Sequence, residues 1–597
     1  MLQSPNFQTW AAQKATTYLS KELGSKITIQ KLKISFIKNI DLQDVYIEDK
    51  HHDTLLYGNK IQLDIRDFDY SSRKLSINEL KLDGIKIKIL QHKKEKDLNF
   101  QFLVDYFSPS DTIKSDSIAD WKIKYGALTL KNIDFTYKIL GDTSKINNAM
   151  NYNNIHLTNV NGSFSDIDFK NDTVFSQINN LTANEQCGLS LKNLTTQLSV
   201  SSNHLHCDKL YLKTSNSLVK GNLSFKYDGW SDYSNFINKV YIKCNLKDST
   251  KLNMKDVTYF ANEISGFDEN FFVKGQIKGF VNDFHGSDLD LNYGKNTTFK
   301  GDISIRGLPD IKKSFIHIDA ENITTSKYDI EHFPIPPFDK PTFLKLPKEL
   351  AQLGIVKYKG KFDGIINNFY SYGTFKTDVG NLKTDIQLRD NSKTNLIEYT
   401  GSLSSSNFNL SKLISVPNFS GPIVFSSKIK GKGLTLKDID LLLDADVQSL
   451  TYNLYQYQKI KVNGAFKNKL FNGKLVCKDV NADFDFIGSV DFNQRIPKMD
   501  FISTINNFDL LQTHFSSSKL DGKVSSQILI NLYGDNIDNL SGQINFDHTI
   551  YTNATKDYKL NTFNLELDQV SDVKNIKLNS NIFNFQLEGK YKLSTLP

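Results

Sequence analysis

Lys31-Leu32-Lys33-Ile34-Ser35-Phe36 changes from polar to apolar at every step. In an extended chain Leu32, Ile34 and Phe36 then share one face, and Lys31, Lys33 and Ser35 share the other. Working outward, the same alternation sets Ile61, Leu63 and Ile65 against Gln62, Asp64 and Arg66, and Ile85, Ile87 and Ile89 against Lys86 and Lys88. It returns at Ile133/Phe135/Tyr137, at Phe484/Phe486, and at Phe583/Phe585/Leu587. Strands with one dry and one wet face read this way. The strands of a parallel α/β sheet, covered on both sides, read as continuous Val/Ile/Leu runs between long helices. The pattern predicts an all-β, mostly antiparallel chain.

Helix signals are sparse. Phe7, Trp10, Ala11, Ala15, Tyr18, Leu19 and Leu23 recur near a 3.6 period, Gly24 closes the segment, and Lys14 and Lys21 are read as lying off that stripe. Shorter helices are expected at Leu98–Phe107, stopped by Ser108-Pro109, and at Lys348–Leu353, with weaker signals at Leu252–Phe260 and Leu410–Ile414. Glycine recurs beside short polar turns, as in Gly275 to Gly286, Gly360-Lys-Phe-Asp-Gly364 and Gly431-Lys-Gly433, at spacings too irregular for propeller blades.

The composition of the 597 residues narrows the choice. Aromatic residues at 12% are too many for a disordered chain, and 12 Pro with 32 Gly exclude collagen-like architecture. No uninterrupted apolar run is long enough to span a membrane as a helix. The net charge of +7 is spread evenly, and only Arg66, Arg73, Arg306, Arg389 and Arg495 carry the guanidinium fork that nucleic-acid recognition favours. No nucleic-acid partner is expected. Four cysteines are too few and scattered for a disulfide framework.

Roughly 35–45 strands would form a very large sheet with little helix to cover its apolar face. Sandwich domains would need linkers, and the sharpest break is Phe333-Pro-Ile-Pro-Pro-Phe-Asp-Lys-Pro341. A membrane barrel of ~40 strands exceeds the known range, so the remaining solution is a long curled antiparallel sheet that forms an extended apolar groove with a few short helices. The expected organisation is an amphipathic helix over 1–24, a groove over 25–335 with a short helix near 98–107, and its continuation over 336–597. Ile34, Phe36, Leu63, Ile65, Ile87, Phe135, Phe484 and Phe585 are expected to line the groove, with Lys33, Asp64, Lys86 and Asp485 facing water.

Chemistry is hard to find. There is no nucleophile elbow, no His-Glu-x-x-His and no phosphate loop. His204 and His206 share a strand face, but Cys207 points the other way and no acidic partner is evident from the spacing. His51-His52-Asp53 reads as a polar turn, and Asp444-Ala-Asp446 lacks the glycine and distal Glu of a calcium loop. No catalytic, cofactor-binding or metal-binding residue is assigned, no cofactor is expected, and the chain is not expected to be an enzyme.

Three segments carry a resemblance: Leu19-Ser-Lys-Glu-Leu-Gly-Ser-Lys-Ile-Thr-Ile-Gln-Lys-Leu-Lys-Ile-Ser-Phe36, Ile40-Asp-Leu-Gln-Asp-Val-Tyr-Ile-Glu-Asp49 and Asp53-Thr-Leu-Leu-Tyr57. They resemble the start of AsmA-like proteins, and more narrowly the TamB (translocation and assembly module) branch of Bacteroidetes-type bacteria. Leu346-Pro-Lys-Glu-Leu-Ala-Gln-Leu-Gly354, Phe362-Asp-Gly-Ile-Ile-Asn-Asn-Phe369 and Gly373-Thr-Phe-Lys-Thr377 are similar to the same branch. The likeness runs through nearly the whole chain as a pattern rather than an invariant motif.

The resemblance implies a periplasmic β-groove (a β-taco) anchored in the inner membrane that carries phospholipid to the outer membrane. The alternative it implies is a scaffold for outer-membrane protein assembly beside an Omp85-type partner. The expected partners are phospholipid acyl chains and the two membranes. The family's N-terminal signal anchor and C-terminal domain are not found, so a fragment of a longer protein is expected.

Overall fold

The computed structural model describes residues 4–594 apart from 36–37, 108–121, 143–147, 392–395, 414–417, 434–437, 494–496, 517–520, 535 and 593. Phe36 therefore lies outside the described residues, as does Ile414. Among the described residues strand accounts for 65% and helix for 11%. Among the described residues there are thirty-three strands, of which thirty-one belong to one sheet. The other two, Pro334–Ile335 and Thr342–Phe343, pair only with each other. No helix among the described residues is long and apolar enough to cross a membrane.

Contacts divide the chain into two compact units. The first comprises Met1–Gly294, Ser304–Pro309 and Phe333–Phe343; the second comprises Lys295–Ile303, Asp310–His332 and Leu344–Pro597. In the first unit Phe338, from the proline-rich segment, stacks on Phe267 with ring centroids 4.3 Å apart.

The first unit opens with helix α1 (Pro5–Leu23), which Gly24 closes in the left-handed conformation at φ 55°. Strands β1 (Ile27–Ser35), β2 (Asn39–Glu48), β3 (Thr54–Asp69) and β4 (Lys74–Gln91) then pair antiparallel in sequence. A connection containing α2 (Gln101–Phe107) leads to β5 (Lys122–Ile139), which pairs with β4 in parallel. This parallel pair is the exception in a mostly antiparallel sheet. The long connection returns the chain to the end where β4 began, so β5 must run in the same direction.

From β5 the first unit continues antiparallel through β6 (Asn154–Lys170), β7 (Thr173–Glu185), β8 (Ser190–Val200), β9 (His204–Thr214) and β10 (Leu218–Lys226). Strands of the first unit from β2 to β9 carry bulges. Asp44, Gly84, Asn132, Asn159, Asn180 and Lys209 have φ between 48° and 64°, and the β5–β6, β6–β7, β7–β8, β8–β9 and β9–β10 registers shift at or near the bulged residues. A bulge inserts an extra residue, bends the strand and increases its twist.

Several bulges are held from the neighbouring strand. The Asn132 N–H donates to Asn161 Oδ1 (2.9 Å), the Asn180 N–H to Thr195 Oγ1 (3.1 Å) and the Lys209 N–H to Asn222 Oδ1 (3.2 Å). Each bulge resets the alternation. Leu82 and Ile85, Leu130 and Ile133, and Leu157 and Val160, each three residues apart, accordingly pack into one cluster.

In the second unit the strands from Ile355–Ile365 to Asn584–Gly589 pair antiparallel, each with the next in sequence. Its helical pieces among the described residues are short: Lys327–His332 is α-helical, and Lys348–Leu353, Leu410–Lys412 and Ile537–Asn539 are 3-10 turns. The segment expected to be helical at Leu252–Phe260, in the first unit, forms a strand over Lys251–Asn253 and a helix over Met254–Thr258.

Candidate functional site

Residues directly opposite one another on paired strands point to the same face, so the registers define rows of side chains across the sheet. In the second unit one row runs Ile316, Gly364, Phe369, Leu388, Tyr399, Gly431, Leu441, Phe466 and Phe471. It continues through Val490, Met499, Leu532, Gly542, Leu567, Ile576 and Leu587. Sixteen strands contribute and none supplies a charge.

The row two residues away passes from Ile318 and Phe362 through Ile386, Ile429, Leu443, Phe501, Ile530, Ile544 and Leu565 to Leu578 and Phe585. A third carries Leu403, Val462, Leu475, Phe486, Ile528, Phe546 and Phe563. These three rows make a broad apolar surface.

The opposite face of the same strands is charged. Asp319, Lys361, Tyr372, Asp385, Ser402, Lys428, Asp444, Asn463 and Lys474 form one row, and Lys361 pairs with Asp319 at 2.9 Å. A cavity of about 1080 Å³ opens on this polar face between Asp385, Lys428, Lys430, Asp444 and Lys474. Exposure separates the two faces. Leu442 and Ile502, on the polar face, are 55% and 58% exposed, whereas Leu441, Leu443 and Phe501 are half-buried.

The first unit repeats the arrangement. Ile34, Ile40, Leu63, Leu80, Leu128, Phe164 and Ile178 form a single row. Ile65 lies two residues from Leu63 and opposes Ile77. Ile87 and Phe135 oppose each other directly across the parallel β4–β5 pair. Of the eight expected lining residues, Ile34 and Leu63 thus share a row, Ile87 and Phe135 share another, and Phe585 ends a row of the second unit. Phe484 opposes Cys477 and Ile505, and packs against a buried cluster of Tyr457, Ile460, Cys477 and Ala482. Phe585 is 47% exposed. Lys33 and Lys86 are exposed on the polar face, while Asp64 and Asp485 are half-buried there.

The polar clusters are tied into the backbone. Asp49 is fully buried. Its Oδ1 accepts from the His51 and Asp53 N–H groups, and its Oδ2 accepts from Asn99 Nδ2 and lies 3.4 Å from His92 Nε2. Burial alone would raise its pKa, but these hydrogen bonds prevail and hold the carboxyl below the usual range. His51 stacks on His92 at 3.6 Å and faces Glu95 at 3.0 Å. Asp49, Asp53 and His92 bring potential metal-ligating atoms together. The Asp49 oxygens, however, are already engaged in clamping the β2–β3 turn to the loop after β4.

Asp329 and Asp479 do the same work in the second unit. Asp329 accepts from the Lys295 and Asn296 N–H groups, and Asp479 from the Gln458 N–H and the Tyr455 hydroxyl. Burial, helped by Asp479, pushes the Tyr455 phenol up to about 12. His206 does have an acidic neighbour, Asp208 Oδ2 at 3.0 Å, while Cys207 faces the apolar side between Leu198 and Leu223. Burial pushes the Cys477 thiol up to about 11, which leaves it a poor nucleophile at neutral pH.

No family model, no curated protein and no solved structure matches this chain.

Proposed function

We propose that the apolar face is a lipid-transfer surface of the AsmA-like, TamB-like kind, carrying phospholipid between the inner and outer membranes through the periplasm. The observation that carries the reading is the charge-free run of cross-strand rows in the second unit, one of which crosses sixteen strands from Ile316 to Leu587. At ~4.8 Å per strand such a row extends on the order of 70 Å, several times the length of an acyl chain. Drawing an acyl chain into water costs roughly 0.8 kcal/mol per CH₂, and a continuous apolar surface removes most of that barrier. The half-burial of the lining side chains leaves them partly accessible to a ligand.

The test is photocrosslinking. A benzophenone amino acid at Phe501 or Phe585, in full-length protein incubated with phospholipid vesicles, is expected to capture phospholipid. The same probe at Asp444, on the polar face, is expected to capture none. Capture of a protein client in place of lipid supports the assembly-scaffold alternative. Absence of lipid adducts at every apolar-face position in folded protein rejects the transfer reading.

A further inference from the structure

Helix α1 is docked with its polar side inward. Gln8, Ala12, Thr16 and Leu23 are buried, and the side chains that meet β1 bond to its outer backbone edge. Gln8 Nε2 donates to the Ile34 carbonyl (3.2 Å) while its Oε1 accepts from the Ile34 N–H (2.7 Å). The Thr9 hydroxyl does the same for Leu32, at 3.1 and 3.2 Å, and the Ser20 hydroxyl for Ile27, at 3.1 and 2.8 Å.

The other side of α1 is aromatic and basic. At 100° per residue Phe7, Trp10, Lys14, Tyr18 and Lys21 fall within about 80° of one another, opposite the docked stripe. Trp10 is 55% and Tyr18 61% exposed. Lys14 and Lys21, expected to lie off the aromatic stripe, stand within it. Through α1 and β1 the charge is five lysines (Lys14, Lys21, Lys26, Lys31 and Lys33) against one acid, Glu22.

A face with Trp and Tyr rings beside lysines suits a bilayer boundary, where amphipathic rings sit at headgroup depth and ammonium groups meet anionic lipid. Neither the apolar core nor the β1 edge uses it. We propose that the Phe7–Trp10–Lys14–Tyr18–Lys21 face of α1 rests on the surface of an anionic lipid bilayer, lying in the interface rather than crossing it. This inference is independent of the transfer reading, because it concerns the outer side of one helix.

Flotation of the full chain with vesicles tests it. The chain is expected to float with equimolar phosphatidylglycerol and phosphatidylcholine, and far less with phosphatidylcholine alone. Trp10→Ser with Tyr18→Ser, and separately Lys14→Glu with Lys21→Glu, are each expected to lower the bound fraction roughly tenfold. Their melting temperature should stay unchanged, since none of the four side chains bonds to β1. Brominated lipid should quench the parent's fluorescence and lose that component in Trp10→Phe, which keeps binding.

Equal flotation of all variants, or equal binding to phosphatidylcholine alone, overturns the proposal. So does loss of a dimer in sedimentation by Trp10→Ser with Tyr18→Ser when flotation is unaffected, since a second copy would then cover the face. Failure of lipid capture at Phe501 bears on the apolar-face reading alone.

Discussion

At the scale of single residues, the strongest constraints are buried carboxylates and glycines packed against backbone. Asp49 is held ionised by donors that the unfolded chain lacks, so its folded pKa is below its unfolded one. Its stabilisation is therefore complete above the ordinary aspartate range of about 3.9 and is lost as pH falls through the lower folded value. Asp49→Asn should lose about 1–3 kcal/mol at pH 7 by setting its amide N–H against that of Asn99. Its stability should also fall less steeply between pH 5 and pH 2, as read from denaturant titrations across that range. Gly542 shows a different constraint. At φ 126° a Cβ there would stand 1.9 Å from the Asn531 carbonyl oxygen. Gly542→Ala is expected to cost roughly 1–3 kcal/mol, measured as a lowered urea midpoint. The importance of Asp49 was hidden in the sequence, since an Asp before His51-His52-Asp53 looks like any polar turn.

At the scale of elements, alternation made the strands legible but concealed how long they are. Roughly 35–45 strands were expected, against thirty-three among the described residues, and β4 and β5 each run for 18 residues. A bulge lets one strand continue through a change of phase that reads as a break. The signal was present in pairs three apart, Leu82/Ile85 and Leu130/Ile133, each enclosing Gly84 or Asn132, residue types that tolerate positive φ. Periodicity likewise left open which side of α1 docks. An apolar stripe is usually the docked one, but a sheet edge offers unpaired N–H and C=O groups, and Gln8, Thr9 and Ser20 satisfy them better than Trp10 could. Gln8→Leu removes both bonds to Ile34. It should speed hydrogen exchange of the Ile34 amide roughly tenfold or more while leaving β3 protected, as mass-spectrometric exchange can show.

At the scale of the whole molecule, the sequence specified the alternation within each strand. What it could not specify was the neighbour across the strand. Ile87 and Phe135 are 48 positions apart and meet only because the α2 connection makes β5 parallel to β4. The rows, not the individual residues, are what a lipid would encounter, and charge placed in them separates a conduit from a packed rod. Phe484 rests on the Tyr457–Cys477 cluster, so Phe484→Asp buries a carboxylate among apolar groups and is expected to cost several kcal/mol in either case. Phe501 and Ile530 oppose each other in a half-buried row. If that row is accessible, Phe501→Asp with Ile530→Asp leaves the carboxylates hydrated, and melting should shift by only a few degrees. Phospholipid transfer between vesicles should then fall to a small fraction of the parent rate, because acyl chains lose their continuous apolar path. Broad unfolding of this pair, as severe as that of Phe484→Asp, would mark the face as closed and self-packed. Unchanged transfer in a folded pair would mean that lipid does not travel along these rows.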